Sequence, residues 1–157
     1  MGSIEAQSPA QQLKAFIAKF EPEVGAMVRS ALATMRKRLP GAVELVYDNY
    51  NALAIGFGPT ERASDAVFSI AVYPRWVSLF FLQGATLSDP RKLLKGSGTR
   101  VRHIVLEDAT LEMPAVRALM AQALWKARKP LDGKGRRRIV IKSVSAKQRP
   151  RRPGRSR

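Results

Sequence analysis

Ala66-Val67-Phe68-Ser69-Ile70-Ala71-Val72-Tyr73-Pro74-Arg75-Trp76-Val77-Ser78-Leu79-Phe80-Phe81-Leu82 holds two apolar runs with only Pro74-Arg75 between them. β-Branched and aromatic residues dominate both runs. Phe68, Ile70 and Val72 alternate onto one face, the period-two pattern of a half-buried strand. Two such runs joined so tightly read as a β-hairpin of strands 66–73 and 76–82.

Upstream of the hairpin, 43–50 and 52–57 are short runs of the same character, set off by Gly58-Pro59 and a polar loop at 60–65. Downstream, 84–98 reads as a loop with one helical turn expected at 89–94, and 101–106 as a fifth strand. Helical periodicity takes over at both ends. Ser8-Pro9 has the form of a cap and a first helical residue, and Leu13, Phe16, Ile17 and Phe20 follow at i, i+3, i+4, i+7. Pro22 restarts the chain between Glu21 and Glu23. A stripe of Val24, Met27, Val28, Ala31, Leu32, Met35 and Leu39 then runs to Pro40-Gly41, a stop signal. A third helix starts near Pro114 and ends near Arg128, with Val116, Leu119, Met120, Ala123 and Leu124 on one side.

Two helices, about five consecutive strands and one further helix imply an α+β domain with a mainly antiparallel sheet, spanning 9–128. Its core is expected where Phe68, Ile70, Val72, Leu79 and Phe81 meet Leu119, Met120 and Leu124. The remainder, 129–157, is rich in Arg, Lys, Pro, Gly and Ser, with Ile139-Val140-Ile141 and Val144 as its few apolar residues. It reads as a disordered basic tail, dispensable for folding because it has little apolar surface to bury.

Charge follows the same division. The 157 residues include 28 Lys+Arg and 12 Asp+Glu, a formal net charge of +16. Between 126 and 157 there are 14 bases and one acid, Asp132; the first 125 residues hold 14 bases and 11 acids. Excess positive charge is therefore a property of the C-terminal segment, and a block of this kind binds polyanions or acts as a solvated extension. Arg136, Arg137, Arg138, Arg151 and Arg152 are its candidate phosphate contacts. It has no aromatic residue, so any DNA or RNA binding through it is expected to be non-specific.

Several chemistries are disfavoured. With no Cys and one His, there is no disulfide framework, thiol nucleophile or zinc-ligand set. Carboxylates are scattered, so no metal and no cofactor is expected. No apolar run approaches the roughly 20 residues of a membrane helix. The N-terminus lacks a basic stretch followed by an apolar core. A cytoplasmic protein without a membrane partner is the expectation.

Three stretches carry a resemblance: Glu44-Leu45-Val46-Tyr47-Asp48-Asn49-Tyr50, Phe68-Ser69-Ile70-Ala71-Val72-Tyr73-Pro74-Arg75-Trp76-Val77, and Leu94-Lys95-Gly96-Ser97-Gly98-Thr99-Arg100-Val101-Arg102-His103-Ile104. In these the chain resembles the YdhG-like domain-of-unknown-function family, grouped with the frataxin/CyaY-like and YjbR-like folds. The resemblance spans roughly 13–124. It implies helices packed on one face of an antiparallel sheet and, for some members, a link to iron delivery. Members of that type commonly carry a Tyr-x-Met-Pro-like segment; the corresponding stretch here, Tyr47-Asp48-Asn49-Tyr50-Asn51, has no Met-Pro.

Two residue groups could carry chemistry. Around Gly96 and Gly98, the residues Lys95, Ser97, Thr99, Arg100, Arg102 and His103 offer backbone N–H groups, hydroxyls and positive charge, a combination suited to a small anion. The spacing is not that of a P-loop, and a strand rather than a helix follows. The alternative is a surface turn with solvated charges. The second group is Tyr47, Asp48 and Tyr50 at a strand end, with Arg75 and Trp76 beside Tyr73 at the hairpin turn, a pair that could stack on a base or ring or form an ordinary hairpin turn. Aromatic and polar side chains of this kind line ligand pockets, or form an ordinary polar turn. The function expected is a small binding or accessory domain with an anion site and a polyanion-binding tail. The rival is a metal-delivery protein or small enzyme whose pocket would bring His103, Tyr47 and Asp48 together.

Overall fold

A computed structural model describes residues 6–154. Residues 1–5, and with them the opening read for a signal peptide, lie outside the described residues, as do 155–157 with the last two arginines of the basic segment.

Helix α1 (Pro9–Ala18) begins with a reciprocal cap: the Gln11 N–H donates to the Ser8 hydroxyl, and the Ser8 N–H donates to the Gln11 side chain. This satisfies two amide donors that a helix start leaves unpaired. Helix α2 (Pro22–Arg38) starts on a proline and ends on Arg36, Lys37 and Arg38, at the negative end of its dipole. Helix α3 (Pro114–Lys126) also starts on a proline.

Six strands form one sheet: β1 (Val43–Asp48), β2 (Leu53–Gly58), β3 (Phe68–Val72), β4 (Val77–Phe81), β5 (Arg102–Val105) and β6 (Arg138–Val144), in the order β5-β4-β3-β2-β1-β6. The first five make an antiparallel meander. The hairpin of β3 and β4 closes through Pro74-Arg75, the Tyr73 N–H donating to the Trp76 carbonyl. The class is α+β, as the residue pattern implies.

Cross-strand register assigns the two faces. Val46, Ile55, Ile70, Leu79 and Ile104 align across five strands, and Phe57, Phe68 and Phe81 across three. These rows join Leu13 and Ile17 of α1, Val28, Leu32 and Met35 of α2, and Val116, Leu119 and Met120 of α3 in one core. All five strand residues expected in the core are buried. Leu119 and Met120 share this core, Leu124 is half-buried at its margin, and α2 also lies against β3 and β4.

Two expectations need correction. The basic segment is not a separate disordered tail over its described residues, 129–154: it contributes β6, which pairs in parallel with β1. The sheet has six strands and is mixed. A parallel neighbour requires a crossover, which α3 and its flanking loops supply. Ile139 and Ile141 pack on the core margin, and the connection docks where Gly135 meets Gly41. Gly41 has φ +77, and a Cβ there would run into the Gly135 carbonyl, so this turn needs glycine for both conformation and approach. The signal was weak because an edge strand needs little apolar surface and commonly carries bases. Second, 89–94 is not a helical turn. The Asp89 carboxylate accepts the Leu93 and Leu94 N–H groups, and Lys92 takes a positive φ of 53°. A side chain competing for backbone donors in this way favours a turn over a helix.

Among the described residues, no helix is long and apolar enough to cross a membrane.

Candidate functional site

β1 carries two acids on its core-facing side, Glu44 and Asp48, flanking Val46. Both carboxylates are buried, which is costly unless cations and hydrogen bonds surround them. Glu44 accepts a two-pronged contact from Arg36, at 2.9 and 2.7 Å, and Arg137 lies 3.4 Å away. The Glu44 carboxylate in turn raises the Arg36 pKa further. Asp48 meets Lys19 of α1 at 2.7 Å and Arg151 at 2.9 Å. Burial pushes the Asp48 carboxyl up, but contacts from Lys19, Gln148 and Arg151 outweigh it and hold the group below its usual range. These acids are consumed by structure. Asp48 is therefore bound into the core rather than lining a pocket.

The basic segment is likewise largely committed. Arg137 pairs with Glu44, Arg138 with Glu61 at 3.7 Å, Arg151 with Asp48, and Arg152 with Glu21 at 3.7 Å. Of the five arginines assigned to polyanion contact, only Arg136 has no such partner among the described residues. Arg151 is buried and also donates to the Asn49 carbonyl.

The glycine-containing loop does not gather its residues into one anion site. Arg102 turns its guanidinium onto the Gly98 and Val101 carbonyls at 2.6 and 2.8 Å. Lys95 and His103 pair through their backbones, while Ser97 and Thr99 are exposed. His103 faces away from the core, its ring stacked on Phe80 at 5.1 Å. Arg100 alone reaches a cleft.

That cleft, of about 1020 Å³, lies between the loop after β2, the turn after β4 and the end of α3. Its cations are Arg62, Arg100, Lys126, Arg128 and Lys129, and its one acid is Asp65. Hydrogen bonds from Thr60 and Lys129 hold the Asp65 carboxyl below its usual range. Lys126 donates to the Thr86 carbonyl at 2.6 Å. Arg62, Arg100 and Arg128 have no ion-pair partner among the described residues. Ser64, Gln83 and Thr86 add hydrogen-bonding groups to the wall. Beside Lys126, Trp125 is 88% exposed, an unusual position for the largest side chain. Arg100 and the basic run starting at Lys126 were legible in the sequence. Arg62 was not, because its loop meets α3 only in the folded chain.

The remaining pocket candidates lie on the sheet face opposite the helices or at its end. Tyr50 and Tyr73 line a shallow depression of about 560 Å³ with Ala54, Ser69, Ala71 and Phe80. Trp76 stacks on Tyr73 at 4.9 Å, and Arg75 is exposed beside it. Tyr47 shares that face through its register with Ala54, and its buried hydroxyl has no hydrogen-bond partner. Asp48 lies on the other face, so Tyr47, Asp48 and His103 do not converge as the enzyme reading required. Among the described residues no three His, Asp or Glu side chains come together in the manner of a metal site.

Comparison with protein-family models, with characterised proteins and with solved structures finds no match for this chain.

Proposed function

We propose that this protein is a binding module for phosphate-bearing polyanions, nucleic acid first among them, and that the basic cleft is its primary contact. The observation that carries the reading is the cleft's composition: five cations with a single acid, three of the cations without an ion-pair partner among the described residues. Phosphates displace counterions from such a surface, so affinity falls steeply with salt. The cleft is continuous with the basic segment through Arg128 and Lys129, and Lys134 and Arg136 lie in the exposed connection that follows. A small anionic ligand in the same cleft is part of this reading, with Arg62, Arg100 and Arg128 as its holders. The free arm expected from composition is replaced by a folded basic surface. The YdhG-like kinship belongs to the same proposal: it rests on the three quoted stretches and on helices packed against one sheet face. So does a cytoplasmic location, where such ligands abound.

Fluorescence anisotropy with a short labelled duplex tests it. If all five cations engage, log K against log salt should have a slope of about −4 to −5. The double substitution Arg100→Glu/Arg128→Glu should weaken binding at least tenfold, and the same charge change at Lys14 and Arg29 much less. Equal losses from both pairs, or a flat salt dependence, would remove the cleft from this role.

A further inference from the structure

We infer that the sheet face opposite the helices is a stacking platform for the bases of single-stranded nucleic acid. The inference rests on the polyanion reading above and deepens it by naming the form of the polymer. A sheet with helices on one face must cover the other or leave it to a ligand. Here the 59–66 loop covers only one end, where Ala66 closes over Gly56 and Gly58. The rest is a floor of small side chains, Ala54, Ser69 and Ala71, between large rings.

Those rings occupy three separate positions. Tyr50, 45% exposed, stands at the β1 end with the Arg149 guanidinium 5.6 Å over its ring. Trp76, 46% exposed, is held by Tyr73 at an interplanar angle of 23°. Phe80 and His103 form a second stack, at 28°. Each stack fixes its ring planes before a ligand arrives, which lowers the ordering cost of binding. Phe80 on β4 is three strands from β1, roughly 14 Å at the usual strand spacing, so one base cannot cover the platform. Bases stack on aromatic rings and on arginine planes alike.

Charge complementarity selects the occupant. The chain carries +16, and Arg75, Lys147 and Arg149 are exposed on the turns bordering this face. The exposed acids Glu107 and Asp108 follow β5. A duplex keeps its bases inside and gains nothing from such a floor, whereas an unpaired strand presents them.

The two tryptophans make the test specific. In a Trp125→Phe background, Trp76 is the only indole. Titration with a single-stranded oligothymidylate should quench Trp76 and give tighter binding than a duplex of equal charge. Tyr50→Leu should weaken single-strand binding about five- to a hundredfold with duplex affinity unchanged, and Tyr50→Phe should restore it. A thermal midpoint for Tyr50→Leu near that of the parent separates this loss from unfolding. Unquenched Trp76 with duplex binding intact would overturn the platform and leave the cleft standing. Loss of both would overturn both. Thymidine monophosphate competing as well as the oligomer would replace the platform with a mononucleotide pocket.

Discussion

The Arg151 guanidinium lies 2.9 Å from Asp48 Oδ1, although the two residues are 103 apart in the chain, and their side chains are 4% and 0% exposed. The contact ties the C-terminal segment to β1. Ser145 N–H donates to the Asp48 carbonyl and Arg149 N–H to the Tyr50 carbonyl on either side of it, so the segment wraps the strand end. A buried carboxylate without its cation is expensive, so the pair makes β6 and its extension part of the fold.

Removing either partner should therefore be costly. Arg151→Ala is expected to destabilise by about 3–5 kcal/mol, because Asp48 would stay buried with only Lys19 as counter-charge. Asp48→Asn should cost less in a chain already lacking Arg151 than in the parent. Urea unfolding of the two single variants and the double variant measures the coupling; additive costs would show that the residues do not act as a pair.

Deleting 129–157 should unfold or strongly destabilise the domain. The deletion removes β6, exposes the backbone edge of β1 and takes Arg137 and Arg151 from Glu44 and Asp48. A drop of roughly 10 °C or more in Tm is expected from the loss of the Arg151 pair alone. A truncated protein melting at the parent's temperature would mean that β6 is an ornament.

Ile70 sits at the centre of the sheet, paired with Ile55 and Leu79 and fully buried. Ile70→Ala should cost about 2–5 kcal/mol through lost transfer energy and the cavity left behind. The equivalent truncation of Val144, 52% exposed on β6, should cost under about 0.5 kcal/mol. Chemical denaturation of both distinguishes a core centre from an edge.

Stability should fall in acid in a defined window. Folding lowers the Asp48 pKa from 3.8, so the unfolded chain binds this proton more readily. The carboxylate's contribution is complete above about pH 4, and it is lost as pH falls through the lowered folded value. Asp65, half-buried in the cleft wall, shifts in the same direction. The Asp48→Asn protein, although less stable at neutral pH, should show a shallower decline below pH 4 in pH-dependent unfolding.

Much of this architecture was legible from residue order. The hairpin at Pro74-Arg75, the helix start at Ser8-Pro9, and the stripe from Val28 to Met35 depend on neighbours within a few positions, where periodicity and capping chemistry act directly. The site was less legible. Lys95 to His103 read as one anion loop because its residues are consecutive. In the fold Arg102 is spent on carbonyls of its own loop, and His103 belongs to the opposite sheet face. Arg62 and Arg128, 66 positions apart, share the cleft instead.

Local periodicity by itself determined where helices and strands form, which face of each is apolar, and that positive charge gathers toward the C-terminus. Only tertiary structure decided what that charge does. Whether an arginine is solvated, paired or free depends on which carboxylate the folded chain brings within about 4 Å. Coulomb attraction between Arg151 and Asp48 becomes strong only after burial lowers the local dielectric. That condition is created by the packing of α1, β1 and the C-terminal segment together, and no stretch of neighbouring residues contains it.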